Sequence, residues 1–218
     1  MTSEKQSPEA SRVMRKLVIP ALIGGVAGFA ASTTMMRFID SDAVGGLGIS
    51  ATIAALVGVL YCVIAVGILI GTARPGVGAR FLNVEDADEL REQQRILLYS
   101  GAAMLAWGIA LIALALAAPD GPVPQTAALV LGLGGLLVGT GLSIFVYRAS
   151  DELMLAVNLE AGALTYGLVL LVVGTWAMLA HLGYVTGPAP IDLLTVFYVL
   201  VLLASFIAVG RRGMITIR

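Results

Sequence analysis

Residues 49–70 read ISATIAALVGVLYCVIAVGILI, twenty-two positions in a row without a charge or a proline. Wound as an α-helix at 1.5 Å per residue, such a segment extends about 33 Å, enough to cross the hydrocarbon of a bilayer. Five further apolar stretches flank it, roughly Leu17 to Arg37, Ile96 to Ala118, Thr126 to Val146, Ala156 to Ala180 and Ile191 to Val209. The expectation is an all-α integral membrane protein with six transmembrane helices in three successive hairpins. Composition agrees: 59% of residues are hydrophobic, 12% are charged and mean hydropathy is +0.96, whereas about a quarter of a soluble domain is charged.

With 218 residues, six spans leave little chain for a separate extramembrane module. The expected organisation is a tail over 1–16, a membrane domain over 17–210 with its longest loop at 71–95, and a second tail over 211–218. The basic residues orient it. Lys5, Arg12, Arg15 and Lys16 precede the first span, and Arg74, Arg80, Arg91 and Arg95 separate the second from the third. Arg148 follows the fourth span, while Arg211, Arg212 and Arg218 follow the sixth. Twelve of the thirteen Lys and Arg thus share one side, and only Arg37 falls on the other. By the positive-inside rule both termini are expected in the cytoplasm, and in a bacterium the membrane is the inner one.

The first stretch has the basic leader, apolar run and small residues (Ala30, Ala31, Ser32) of a signal peptide, but the apolar run continues to Met36. It reads as a retained span, since removing it would place the termini on opposite sides. A net charge of -1 offers no basic face for nucleic acid. Cys62 is the only cysteine, so no internal disulfide can form.

Seven of the eight prolines fall in tails or loops, and Pro20 sits in the first turn of its helix, where a missing N–H is harmless. Unbroken spans count against the discontinuous helices of many ion-coupled transporters. Small residues recur every four positions at Gly24, Gly28 and Ser32 in the first span and at Gly135, Gly139 and Ser143 in the fourth. Each set forms a groove along one helix face that admits another helix closely, either within the chain or in a homo-oligomer.

Two acidic segments precede helices. Asn83 is placed to cap a helix whose first turns carry Glu85, Asp86, Asp88 and Glu89, with Arg91 and Arg95 three residues beyond Asp88 and Glu92. Ser150, Asp151 and Glu152 repeat the arrangement before the fifth span. An unbroken helix from Val84 to Ala118 would be about 52 Å long and project into the cytoplasm, so Glu85, Asp88, Glu89, Arg91 and Arg95 form a candidate docking surface for a partner.

Enzyme signatures are missing. The acidic loop lacks the Asp spacing that holds Mg²⁺-bound diphosphates, and no second such motif follows. His181 is the only histidine, which leaves neither a zinc ligand set nor a pair of haem ligands. Ser143 lacks the second glycine of a nucleophile elbow. No metal or cofactor is expected.

Within the spans, Asn158, Glu160 and Tyr166 on the fifth helix are the candidates for a substrate or ion site, because an ionisable group in hydrocarbon needs a partner or a task. Glu160 can equally sit at the cytoplasmic interface, since Ala161 to Ala180 alone covers about 30 Å. Toward the outer side, Arg37 and Asp40 can pair, and Trp176, Tyr184 and Tyr198 suit interfacial anchoring. The first expectation for function is a non-catalytic membrane-embedded subunit or assembly protein, set in the lipid bilayer with a membrane-protein partner or further copies of itself. The second is a small transporter or channel using Glu160, and the third an intramembrane lipid enzyme.

Overall fold

A computed structural model describes residues 18–78, 87–117 and 121–214. The described residues form helices only: α1 (Ile19–Ile39), α2 (Ile49–Ala73), α3 (Pro75–Gly78), α4 (Ala87–Glu92), α5 (Gln94–Ala115), α6 (Gln125–Ala149), α7 (Glu152–His181) and α8 (Pro190–Arg211). Six of them are long and apolar enough to cross a membrane, which makes this a multi-pass membrane protein with an all-helical bundle.

Local chemistry sets the helix ends. The Asp151 carboxylate accepts the Met154 N–H at 2.7 Å and caps α7. Asp192 reaches back to the Ala189 N–H at 2.8 Å, with Pro190 opening α8. Gly183 (φ +78°) and Gly213 (φ +67°) end α7 and α8 in the left-handed conformation that a side chain disfavours. The next N–H groups, of Tyr184 and Met214, then return to Leu179 and Val209 carbonyls in the Schellman pattern. The expected Ser150 cap is displaced by one residue, because the Ser150 hydroxyl is donated to the Val146 carbonyl at 2.8 Å.

The central pair is α2 and α5, antiparallel, since Gly58 faces Ile112 and Gly101 faces Leu69. At the crossing Gly58 and Gly108 meet backbone to backbone. Ala54, Ala55, Leu111 and Ala115 form the adjacent core with Ile39. Small residues here replace the bulky core of a soluble protein because lipid is as apolar as leucine, so helices associate through close packing. On the far face of α5 lies α6, whose Gly135 and Gly139 rest against Ala106 and Trp107.

α8 packs on α2 and α5, and α7 packs on α8. Tyr61 donates to the Tyr198 carbonyl at 2.7 Å, Tyr198 donates to the Trp107 carbonyl at 3.3 Å, and the two tyrosine rings lie 5.0 Å apart. Tyr198 is therefore an interhelical tie near mid-span rather than an interfacial anchor. Arg37 and Asp40 are both exposed and form no ion pair among the described residues, consistent with the small value of such a contact at a surface.

The small-residue grooves fare differently. The one on α6 receives α5, but a Cβ at Gly24 or Gly28 would meet nothing within 4 Å among the described residues; Gly24 borders an open, apolar cavity of about 530 Å³ between α1 and α2. The acidic segment also departs from the unbroken helix expected. Gln93 (φ -86°, ψ 1°) separates α4 from α5. Leu90 is fully buried, its side chain against Gly78 of α3. Burial of that one apolar residue holds α4 against α3, and the helix is interrupted where α5 begins.

Candidate functional site

Polar side chains that stand alone within apolar helices have little to bond with unless tertiary structure collects them. Four are collected here. Ser100 lies six residues from the start of α5, Asn158 six from the start of α7, Ser143 six from the end of α6 and Ser205 six from the end of α8. Because these helices alternate in direction, all four stand at one level, about 9 Å from the same end of the bundle. They line one cavity of about 400 Å³ at the seam between α6 and the α7–α8 pair, with α5 behind it. A volume of that size lies within the range of about 300–1,000 Å³ typical of small-molecule sites.

The hydrogen-bonding state of the four differs. Ser143 donates to the Gly139 carbonyl at 2.9 Å and Ser205 to the Val201 carbonyl at 2.8 Å, so in the cavity each offers only acceptor lone pairs. Ser100 and Asn158 make no hydrogen bond to any described residue. Deeper in the bundle the wall is carbon-rich, with Ala103, Met104 and Val201, and it ends at Tyr61 and Trp107. The Trp107 indole lies over Gly139, and its Nε1 is buried without a hydrogen-bond partner among the described residues. A second, almost wholly apolar cavity of about 210 Å³ shares Tyr61, Trp107 and Val201 and continues the seam past Leu136, Leu194 and Phe197.

The three candidates on α7 are dispersed. Asn158 lines the cavity. Glu160 lines neither cavity; its carboxylate accepts from Arg212 Nε at 2.9 Å and lies 3.6 Å from Arg211 Nη1. Tyr166 is 73% exposed on the periphery of the bundle. Of the candidate docking set, Asp88 and Arg91 form an exposed ion pair and Arg95 is exposed at the start of α5. Glu85 lies outside the described residues, and for Glu89 only the backbone is described. Among the described residues no three His, Cys, Asp or Glu side chains converge on one point.

The Glu160 contacts carry a stability prediction. With its side chain 26% exposed and two guanidinium groups around it, Glu160→Gln is expected to cost about 1–2 kcal/mol, between the values for surface and buried pairs. Asp88→Asn, in a pair whose side chains are well exposed, should cost about 0–1 kcal/mol. Chemical unfolding in detergent compares the two, and equal midpoints would show that the Glu160 pair is merely superficial.

Ser100 and Ser205 are site residues that their own spans do not single out, whereas Trp107, near mid-span, is the packing residue its place in the sequence suggests. A signal was available in their register, because singly placed polar residues six positions from helix ends on one side of a bundle must share a level. No protein-family model matches this chain, and no curated protein or solved structure is found similar to it. Fold and site together define its class: a multi-pass, all-helical membrane protein with a polar-ringed cavity at a helix seam.

Proposed function

We propose that this chain is a non-catalytic membrane-embedded subunit or interaction protein, with the arginine-bearing end of the bundle in the cytoplasm. The observation that carries the reading is the isolation of α7. Among the described residues this helix of 30 residues packs chiefly on α8 and buries one residue, Val157, while Leu170, Leu171 and Met178 are exposed along it. Lipid can cover such a face, and on α1 Gly28 has no described neighbour within reach of a Cβ while Gly24 borders an open cavity against α2, which leaves room there for close contact by a further helix. Permeation through Glu160 draws less support, since that carboxylate is engaged by two arginines and lines neither cavity.

The test is purification in a mild detergent with mass determination by light scattering. A stoichiometric complex, with a second copy or with another membrane protein, is the expected result. A monomer that retains no protein companion would overturn the reading. Ion or proton flux in proteoliposomes that is lost in Glu160→Gln would replace it with the permeation reading.

A further inference from the structure

We infer that the seam between α6 and the α7–α8 pair binds an uncharged lipid bearing a free hydroxyl, its head at the level of Ser100 and Asn158 and its hydrocarbon running inward past Tyr61 and Trp107. Three features lead there. First, Ser100 and Asn158 present a hydroxyl and a primary amide to the cavity and make no hydrogen bond to any described residue. Asn158 is exposed and Ser100 half-buried along this open seam; against hydrocarbon such groups are costly to leave unpaired, so an occupant that both donates and accepts is favoured. The Ser143 and Ser205 hydroxyls, already committed as donors to their own helices, add acceptors at the same level.

Second, among the described residues no Asp, Glu, Lys, Arg or His lines either cavity. A phosphate or ammonium head would find no counter-charge there, whereas a neutral hydroxyl matches the donors and acceptors present. Third, two cavities that share Tyr61, Trp107 and Val201 follow one another along the seam, and their linings are graded. The polar-ringed cavity is about 400 Å³, and the adjoining one of about 210 Å³ has an almost entirely carbon lining. That sequence of surfaces, from hydrogen-bonding to apolar along one seam, matches an amphiphile lying parallel to the helices. Neither cavity is enclosed, so a lipid can enter sideways.

This inference is independent of whether the protein works as a subunit. Its test uses the full-length chain in phosphatidylcholine vesicles containing a diacylglycerol with a diazirine in one acyl chain, and in parallel a phosphatidylcholine with the same diazirine. After irradiation, cross-linked peptides are read by mass spectrometry. The diacylglycerol probe should concentrate on segments of α5, α6 and α8 that border the cavities, and unlabelled diacylglycerol should compete it away. Asn158→Leu, which keeps the side chain's size, should reduce that labelling about fivefold, the factor expected when one hydrogen bond is lost. Tyr166→Leu, on the same helix and outside the cavity, should leave it unchanged and reports that the bundle is intact. Labelling spread evenly around the bundle, equal labelling by the phosphatidylcholine probe, or labelling unaffected by Asn158→Leu would each overturn the inference.

Discussion

Gly108→Val is expected to force α2 and α5 apart and to lower the unfolding midpoint of the detergent-solubilised protein by an amount equivalent to about 3 kcal/mol or more, the upper range for overpacking. A Cβ at Gly108 would stand 2.7 Å from Cys62 Sγ, 2.8 Å from the Gly58 carbonyl oxygen and 3.1 Å from the Cys62 nitrogen. Two of those three atoms are backbone, so relief requires moving a helix rather than turning a side chain. The reciprocal site behaves alike, because a Cβ at Gly58 would lie 2.9 Å from the Gly108 carbonyl oxygen and 3.1 Å from the Ile112 nitrogen. Gly139→Ala should be milder. Its Cβ would also collide, but the nearest atoms belong to the Trp107 indole, which can rotate at the expense of its packing. Gly28→Val is the control, with open space around the position and an expected change within about 0.5 kcal/mol. Equal shifts for Gly108→Val and Gly28→Val would show that the α2–α5 crossing is not the tight contact described.

Leu90→Ala should be the most damaging change outside the spans, at about 2–4 kcal/mol. Leu90 has no exposed surface, and a Cβ at Gly78 would come within 2.7 Å of its Cδ2, so the side chain fills the angle where α3 meets α4. Truncation removes that plug, and the exposed Asp88–Arg91 ion pair, which lies within α4, does not replace it. Two readings follow from one sample: the unfolding midpoint falls, and amide hydrogen exchange across Ala87–Glu92 accelerates more than in the middle of α5. Glu92→Ala, at an exposed position in the same short helix, should change neither by much. If exchange in α4 is unaltered by Leu90→Ala, the segment is not held by this contact.

Particular residues show how much of this was legible beforehand. The spans were, because hydrocarbon demands an apolar run of a set length and residues 49–70 supply one within α2 (Ile49–Ala73). One helix start was legible to within a residue, since Asp151 beside the expected Ser150 caps α7, but the start of α5 after Gln93 was not, and the expected cap at Asn83 lies outside the described residues. Pairing of small-residue faces was half legible. Gly135 and Gly139 do meet a neighbouring helix, yet a Cβ at the equally regular Gly24 or Gly28 would meet nothing within 4 Å, and the reciprocal glycine-to-glycine contact belongs to Gly58 and Gly108. Spacing on one helix shows where a close approach is sterically allowed and says nothing of which helix comes.

The candidate site was less legible for the same reason. Asn158 stood out as an amide in an apolar span and does line the cavity, but Glu160, two residues away and so nearly opposite on the helix, turns to Arg211 and Arg212 across a separation of about fifty residues. Ser100, Ser143 and Ser205 come from three other helices. By itself the chain's order of residues determined that six helices would be apolar enough for a bilayer, about how long they would be and, for α7, where the cap would fall, since those properties depend on neighbours within a few positions and on the solvent. Tertiary structure alone decided that Gly58 would face Gly108, that Tyr198 would turn inward to Tyr61 and Trp107, and that four isolated polar groups would share one level around one cavity. In hydrocarbon, where all apolar faces are nearly equivalent, helices choose partners by shape and hydrogen bonds, which exist only once the helices are side by side.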